Sequence, residues 1–163
     1  MTLPHRRLLA AALAAVVAAD WLTKFLVQNH LRVDAFHPVV DGWVGLTHRQ
    51  NPGIAFSFLR DLPDLVRLPL LTLAALVGIA AAAAILLRSR DTLARVAAGL
   101  VIAGAVGNLG DRLVNGAVTD FIQVRWFPFV FNVADVAITI GAVLLAARLA
   151  LEETRGTTAP APS

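Results

Sequence analysis

The chain has no cysteine, little net charge and no basic run of the kind that binds nucleic acid. The absence of cysteine excludes disulfide bonds and thiolate chemistry. The net charge is only +3, and no cluster of lysine and arginine is interleaved with aromatic residues, so nucleic acid is not a predicted partner. The four histidines lack the spacing of metal ligands, and we expect neither a metal ion nor an organic cofactor. They are His5, His30, His37 and His48.

Long hydrophobic runs dominate the sequence. Hydrophobic residues make up 58% of the 163 residues and the mean hydropathy is +0.72, which predicts an integral membrane protein. Four runs approach the ~20 residues that a spanning helix requires. We place them at about residues 8–27, 68–87, 93–110 and 131–149. All four fit into one domain, residues 1–155, and the tail at 156–163 is rich in Thr, Pro and Ala and predicted to be disordered.

The first run can also be interpreted as a signal peptide. Arg6 and Arg7 precede it, and small residues within it resemble a cleavage site. However, Trp21 and Phe25 lie in apolar sequence that extends the run to full spanning length. We therefore predict a helix that is retained.

The two long segments between the runs have a different character. Residues 39–47 alternate in the manner of short strands around a glycine turn, and residues 51–53 are a strong turn signal. Residues 54–59 contain aromatic side chains suited to the headgroup depth, which indicates a short interfacial segment. Residues 113–130 are predicted to form a second loop outside the membrane.

Polar residues on the spans share helix faces. Asp20 and Lys24 are four residues apart, and Asn108, Asp111 and Arg112 follow a spacing of three and four, so each set lies on one face. Ionisable groups in membrane helices are costly to desolvate, and each is therefore a candidate functional residue.

The order of the spans brings the polar residues to one side of the membrane. Successive spans alternate in direction, so residues late in the first and third spans meet residues early in the fourth and residues of the two loops. The converging set is Asp20, Asn51, Asp111, Asp120, Asn132 and Asp135. Lysine and arginine divide evenly between the two ends, but the short segments beside the spans favour cytoplasmic termini. The cluster is then predicted to face the outer surface.

Paired carboxylates suggest a chemistry for this cluster. Two neighbouring acids share one proton and so offer a general base and a general acid together, which is the requirement of aspartic proteolysis. The candidates are Asp20, Asp111, Asp120 and Asp135. An alternative interpretation of Asn132 and Asp135 is structural, with Asn132 as a helix N-cap and Asp135 completing a capping box.

Two other functions stay open on the residues alone. Ser57 could act with Lys24, the only lysine, in a serine peptidase. A small proton-coupled transporter could use Asp20, Asp111 and Asp135 as a relay. Against the transporter, the acids gather at one face, and no repeat relates the two halves of the sequence.

Five motifs in order carry a resemblance to a known family. They are DWLTK at 20–24, NPGIAFS at 51–57, GNLGDR at 107–112, VTDF at 118–121 and FNVAD at 131–135. Together they resemble the lipoprotein signal peptidase, or signal peptidase II, family over nearly the whole chain.

The resemblance implies a fold and a function. The expected fold is an all-α integral membrane bundle of four transmembrane helices, with a small extracytoplasmic β-cradle and a short interfacial helix. The expected protein is an aspartic endopeptidase of the bacterial inner membrane. We expect membrane lipids to surround it and a monomer to be sufficient for the proposed site. Its implied substrates are diacylglyceryl-modified prolipoproteins, from which it removes the signal peptide by cutting on the N-terminal side of the modified cysteine.

The same resemblance assigns expected roles to residues. Asp120 and Asp135 match the catalytic dyad. The expected substrate-binding and supporting residues are Asp20, Lys24, Asn51, Gly53, Asn108, Asp111, Arg112 and Asn132. Asp111 is expected to pair with Arg112, and Asn51 and Asn132 to hydrogen-bond the substrate or the aspartates.

Overall fold

The computed structural model describes residues 3–53 and 62–157, with side chains as far as residue 151. This part of the chain contains α1 (Leu3–His30), β1 (His37–Val40), β2 (Val44–Asn51), α2 (Asp64–Arg88), α3 (Thr92–Asn115), β3 (Val118–Val124), β4 (Val130–Phe131) and α4 (Val133–Thr157). The predicted interfacial segment at 54–59, which includes Ser57, lies outside the described residues, as do residues 158–163 of the predicted tail.

The four helices confirm the four predicted spans, because each is long and apolar enough to cross a membrane. They also extend past the hydrophobic runs, since hydropathy records apolar side chains whereas helical hydrogen bonding continues through polar residues. Thus α3 continues through Arg112 to Asn115. At the other terminus α4 reaches Thr157, so the helix includes the first two residues of the predicted tail.

The third helix lies at the centre of the bundle and contacts the other three. Its buried apolar face is built from small residues, namely Ala94, Ala97, Ala98, Gly99, Ala103, Gly104 and Gly107. Small residues let helix backbones approach closely, as expected for packing inside a membrane. At Gly104 the approach is so close that an added Cβ would collide with the carbonyl oxygen of Ala134 on α4. This packing brings the polar end of α3 against both α1 and α4.

The segments between the helices form one antiparallel sheet in the order β1-β2-β3-β4. The first two strands confirm the prediction from alternation. The alternation of residues did not reveal β3, which lies within the predicted second loop, or β4, which lies at the end of that loop. The β3 strand pairs with β2, which is distant in sequence, and such a partner is invisible to local pattern. In this register Arg49 lies opposite Asp120 and Asn51 opposite Val118. The end of β2 is therefore beside Asp120.

Both ends of α3 are capped. At its start the Asp91 carboxylate accepts from the backbone N–H of Ala94 at 2.8 Å and from Arg148 on α4 at 3.0 Å. These two contacts, the Ala94 hydrogen bond first, lower the pKa of Asp91. At the other end Gly116 has φ of 72° and donates its N–H to the Arg112 carbonyl at 2.9 Å. This left-handed cap, which favours glycine, turns the chain from α3 into β3.

Candidate active site

Asp120 lies on β3 with its side chain almost completely buried. Its two carboxylate oxygens each accept a side-chain amide. Asn51 Nδ2 donates to Oδ2 at 2.9 Å, and Asn132 Nδ2 donates to Oδ1 at 2.7 Å. The strand, the end of β2 and the start of α4 therefore meet at this one carboxylate.

Asp135 lies in the first turn of α4 and forms a capping box with Asn132. The Asp135 backbone N–H donates to Asn132 Oδ1 at 2.9 Å, and the Asn132 backbone N–H donates to Asp135 Oδ2 at 3.2 Å. This is the structural arrangement that the sequence offered as an alternative to a catalytic role. Because Asn132 also donates to Asp120, the residue that caps α4 is hydrogen-bonded to both acids.

Asn108 on α3 connects Asp135 to a buried lysine. Its Nδ2 donates to Asp135 Oδ1 at 2.8 Å, and its Oδ1 accepts from Lys24 Nζ on α1 at 2.8 Å. Because an ammonium can only donate hydrogen bonds, the amide oxygen of Asn108 must face Lys24. The amide nitrogen is consequently directed at Asp135.

An ion cluster of Asp20, Lys24 and Asp111 lies behind these contacts. Lys24 Nζ is 2.7 Å from Asp20 Oδ2 and 3.8 Å from Asp111 Oδ2, and all three side chains are buried. Each carboxylate also accepts a backbone N–H: Asp20 from Ala134 at 2.9 Å and Asp111 from Thr119 at 2.6 Å. The acids that a transporter would use as a relay are thus held by ion pairs and hydrogen bonds at one end of the bundle.

The expected pair of Asp111 and Arg112 was wrong. Consecutive residues on a helix point in different directions, so they do not face each other. Asp111 faces α1 and β3, whereas Arg112 extends toward the first loop and donates to the Gly53 carbonyl at 3.0 Å. Gly53 in turn donates its backbone N–H to Asn51 Oδ1 at 3.0 Å. Arg112 therefore holds the turn that presents Asn51 to Asp120.

The environment of Asp120 shifts its proton affinity. Burial, and after it the negative charge of Asp135, raise the pKa of Asp120 from 3.8 to about 7. The amides of Asn51 and Asn132 oppose the shift, because they stabilise the ionised carboxylate. A carboxyl group with a pKa near 7 can hold or release a proton close to neutral pH.

A cleft of about 1150 Å³ opens onto both carboxylates. Its polar lining includes Asp120, Asp135, Asn108 and Arg112. Its apolar wall comes from α2, α3, α4 and the segment around β4, and includes Leu71, Ala74, Ala105, Phe127, Phe129, Phe131 and Ile138. The rings of Phe127 and Phe131 meet edge to face at 6.0 Å. A ligand in this cleft would contact apolar helix surface and the paired acids together.

Several polar residues of the network were not predicted from the sequence. Gln28 donates to Thr119 Oγ1 at 2.6 Å, and Asn115 donates to Asp111 at 2.6 Å. Gln28 is four residues after Lys24, so the same helix-face spacing could have revealed it. Thr119 carried no such signal, because its partners are on other elements.

The structure also bears on the serine-peptidase alternative and on metal binding. Lys24, the proposed base of a serine peptidase, is bound to Asp20 and Asn108, and Ser57 lies outside the described residues. Among the side chains described in residues 3–53 and 62–151, no group of three His, Asp or Glu could hold a metal ion.

Comparison with known sequences gives extensive matches. The family described as Signal peptidase (SPase) II matches residues 12–151. The lipoprotein signal peptidase of Geobacter sulfurreducens is 38% identical over 157 residues, covering 93% of this chain and 97% of the relative. That of Geobacter metallireducens is 39% identical over 158 residues, covering 93% and 96%. That of Ectopseudomonas mendocina is 40% identical over 136 residues, covering 80% of each.

Two solved structures, each described as a bacterial membrane enzyme studied by the in meso method, have a similar fold. One has a TM-score of 0.82 at 24% identity and covers 95% of this chain and 94% of its own. The other has a TM-score of 0.78 at 25% identity, with coverages of 86% and 91%. The similarity covers most of this chain and confirms the predicted fold of four apolar helices with a small sheet.

Proposed function

This chain belongs to the signal peptidase II family, as its five motifs predict, and we propose that it is an aspartic endopeptidase that cuts prolipoproteins before a diacylglyceryl-modified cysteine. The Geobacter sulfurreducens relative is named a lipoprotein signal peptidase and is matched over 97% of its length, which supports processing of prolipoprotein signal peptides as the activity of the whole chain. The aspartic mechanism and the position of the cut are the further steps of the proposal.

The mechanism rests on one observation, the placement of Asn132 between the two acids. Its side chain donates to Asp120, and its backbone donates to Asp135. Both carboxylates also line the same cleft. The two carboxylates therefore enter the same cleft from different elements, β3 and α4. A general base and a general acid that act on opposite sides of one peptide bond require such an arrangement.

The proposed reaction uses the two acids in different protonation states. Ionised Asp135 takes a proton from water, whose oxygen bonds to the scissile carbonyl carbon, while protonated Asp120 gives its proton to the carbonyl oxygen. In the second step the C–N bond breaks and the leaving nitrogen takes the proton from Asp135. Asp120 then recovers a proton from the diol as the new carboxyl group forms. The raised pKa of Asp120 supports its assignment as the initial acid. The cycle needs no metal ion or organic cofactor.

The supporting residues fix this arrangement. Asn51 and Asn132 hold Asp120, Asn108 holds Asp135, and Arg112 holds the Gly53 turn. Arg112 also lines the cleft, where its remaining donors can meet a substrate carbonyl. A single copy of the chain carries all of these groups, so a monomer suffices.

The membrane setting follows from the family and from the four helices. The chain belongs to a family of lipoprotein signal peptidases and has four helices that could span a membrane, which together imply a protein of the bacterial inner membrane. We propose that both termini are cytoplasmic and that the dyad is near the outer face. A lipidated substrate could then keep its acyl chains in the bilayer beside the apolar wall of the cleft while its peptide bond meets Asp120 and Asp135.

Cleavage of a defined substrate tests the proposal. The purified protein in nanodiscs is given a prolipoprotein peptide with a diacylglyceryl-modified cysteine, and the products are identified by mass spectrometry. We expect a mature fragment that begins with the modified cysteine, and no cleavage of the same peptide with unmodified cysteine. A cut at another bond, or equal cleavage of the two peptides, would contradict the proposed specificity.

A further inference from the structure

The residue directly before each proposed catalytic aspartate is tied to the ion cluster by its backbone. Thr119, which precedes Asp120, donates its N–H to Asp111 Oδ2 at 2.6 Å. Ala134, which precedes Asp135, donates its N–H to Asp20 Oδ1 at 2.9 Å. The two halves of the proposed dyad come from a strand and a helix, yet the same ion cluster holds both backbones.

Lys24 joins the two halves. Its Nζ lies 2.7 Å from Asp20, which holds the Ala134 N–H, and 3.8 Å from Asp111, which holds the Thr119 N–H. The third contact, to Asn108 Oδ1 at 2.8 Å, directs the Asn108 amide at Asp135. Three connections to the dyad thus meet at one nitrogen atom.

The chemistry of lysine suits this position. An ammonium is a compact charge with three donors, whereas a guanidinium is a planar fork that favours bidentate pairing with one acid. Oxygens of Asp20 and Asn108 lie within hydrogen-bonding distance of Lys24 Nζ, and an Asp111 oxygen lies in ion-pair range at 3.8 Å. The residue is only 3% exposed, so water screens these contacts weakly. Lys24 is also the only lysine in the chain.

We propose that Lys24 is the positioning residue of the dyad: by holding Asp20, Asp111 and Asn108 together, it sets the separation and orientation of Asp120 and Asp135. This rests on the proposed function, in that Asp120 and Asp135 are taken as the working pair. Lys24 does not line the cleft that contains Asp120 and Asp135, so its proposed effect on the dyad passes through Asn108, Asp20 and Asp111.

Substitution of Lys24 separates positioning from bundle stability. In Lys24→Met, Asp20 and Asp111 repel each other and Asn108 loses its fixed orientation. We expect kcat to fall about 100-fold with KM changed less than about threefold, since small displacements of reacting groups have effects of this size. We also expect amide hydrogen exchange at Thr119 and Ala134 to accelerate at least about tenfold, while the amides of α2 keep their protection.

A matched control removes an ion pair at the other end of the bundle. Asp91→Asn weakens the contact with Arg148 and should lower thermal stability without changing kcat or exchange at Thr119 and Ala134. If Lys24→Met does not fold, the same criteria apply to Lys24→Gln, which keeps a neutral donor and similar volume. Wild-type kcat, or wild-type exchange at Thr119 and Ala134, in the folded Lys24 variant would overturn the inference. So would an equal fall in kcat in Asp91→Asn.

The exchange measurement keeps this inference distinct from the proposed function. If either Asp120→Asn or Asp135→Asn retained cleavage, the aspartic mechanism would fail, although the exchange data could still show that Lys24 holds the two backbones. If exchange at Thr119 and Ala134 did not respond to Lys24, the positioning role would fail although the peptidase could still be aspartic.

Discussion

The side-chain amide of Asn132 donates to the buried Asp120 carboxylate at 2.7 Å. This hydrogen bond joins the start of α4 to the third strand of the sheet. The same asparagine caps α4 and exchanges two hydrogen bonds with Asp135. One residue thus serves the helix terminus and the paired acids together. A helix cap usually acts on its own helix alone, whereas this cap also orients a carboxylate on another element.

Asn132→Ala should reduce activity far more than it reduces stability. Loss of a cap costs about 1 kcal/mol of folding free energy. Loss of the contact to Asp120 frees one carboxylate oxygen, and we expect kcat/KM to fall about 100-fold. The matched control is Asp91→Ala, which removes the N-cap of α3 far from the cleft. Thermal unfolding and steady-state kinetics of both variants check this. Equal activity losses in the two variants would refute the link between Asn132 and Asp120.

The pH dependence of the rate should reflect the proton on Asp120. Its pKa is raised to about 7, so the acid form that donates to the carbonyl oxygen exists below that pH and is lost above it. We expect kcat to fall about tenfold per pH unit well above pH 7. Kinetics between pH 5 and about 9 on a substrate without titrating groups give the profile. A rate that stays flat or rises through this alkaline range would mean that a group other than Asp120 donates the proton.

Folding stability should depend on pH through the same group. A raised folded-state pKa means that protonated Asp120 stabilises the fold, so the contribution is present below about pH 4 and is lost as pH rises to about 7. The loss amounts to at most about 4 kcal/mol. Asp120→Asn cannot ionise and should therefore gain thermal stability relative to the wild type as pH rises from 4 to 8. A constant difference in melting temperature over that range would contradict the assignment.

Two glycine-to-alanine substitutions should have opposite effects. A Cβ at Gly107 on α3 would lie 2.5 Å from Asp20 Oδ2, in the ion cluster, whereas a Cβ at Gly78 on α2 meets nothing within 4 Å. We expect Gly107→Ala to lower the unfolding free energy by about 1–3 kcal/mol and to reduce activity. Gly78→Ala should raise stability by up to about 1 kcal/mol, because alanine favours the helix. Unfolding in detergent and cleavage rates distinguish the two.

Local patterns predicted much of this architecture. Hydropathy located the four helices, and the spacing of three and four residues grouped Asp20 with Lys24 and Asn108 with Asp111. Span order predicted that these groups meet, and in the structure Lys24 contacts Asp20, Asn108 and Asp111. These signals succeed because a helix repeats every 3.6 residues and a span has a fixed length.

Contacts between distant elements could not be predicted in this way. The hydrogen bond from Gln28 to Thr119 joins residues on α1 and β3 that no periodicity relates. The direction of Arg112 toward Gly53 likewise depends on where the first loop passes. The third strand was missed for the same reason, since its pairing with β2 is set by the packed fold and not by neighbouring residues.

The most direct test of the central claim compares cleavage of a lipid-modified prolipoprotein by the wild type, Asp120→Asn, Asp135→Asn and Ser57→Ala, each with and without a chelator. We expect both aspartate variants to lose cleavage by at least about 10⁴-fold while remaining folded, since each removes one of two obligatory proton-transfer groups. Ser57→Ala should cleave at the wild-type rate, and the chelator should have no effect. Retained cleavage in either aspartate variant, loss of cleavage in Ser57→Ala, or inhibition by the chelator would contradict the aspartic mechanism.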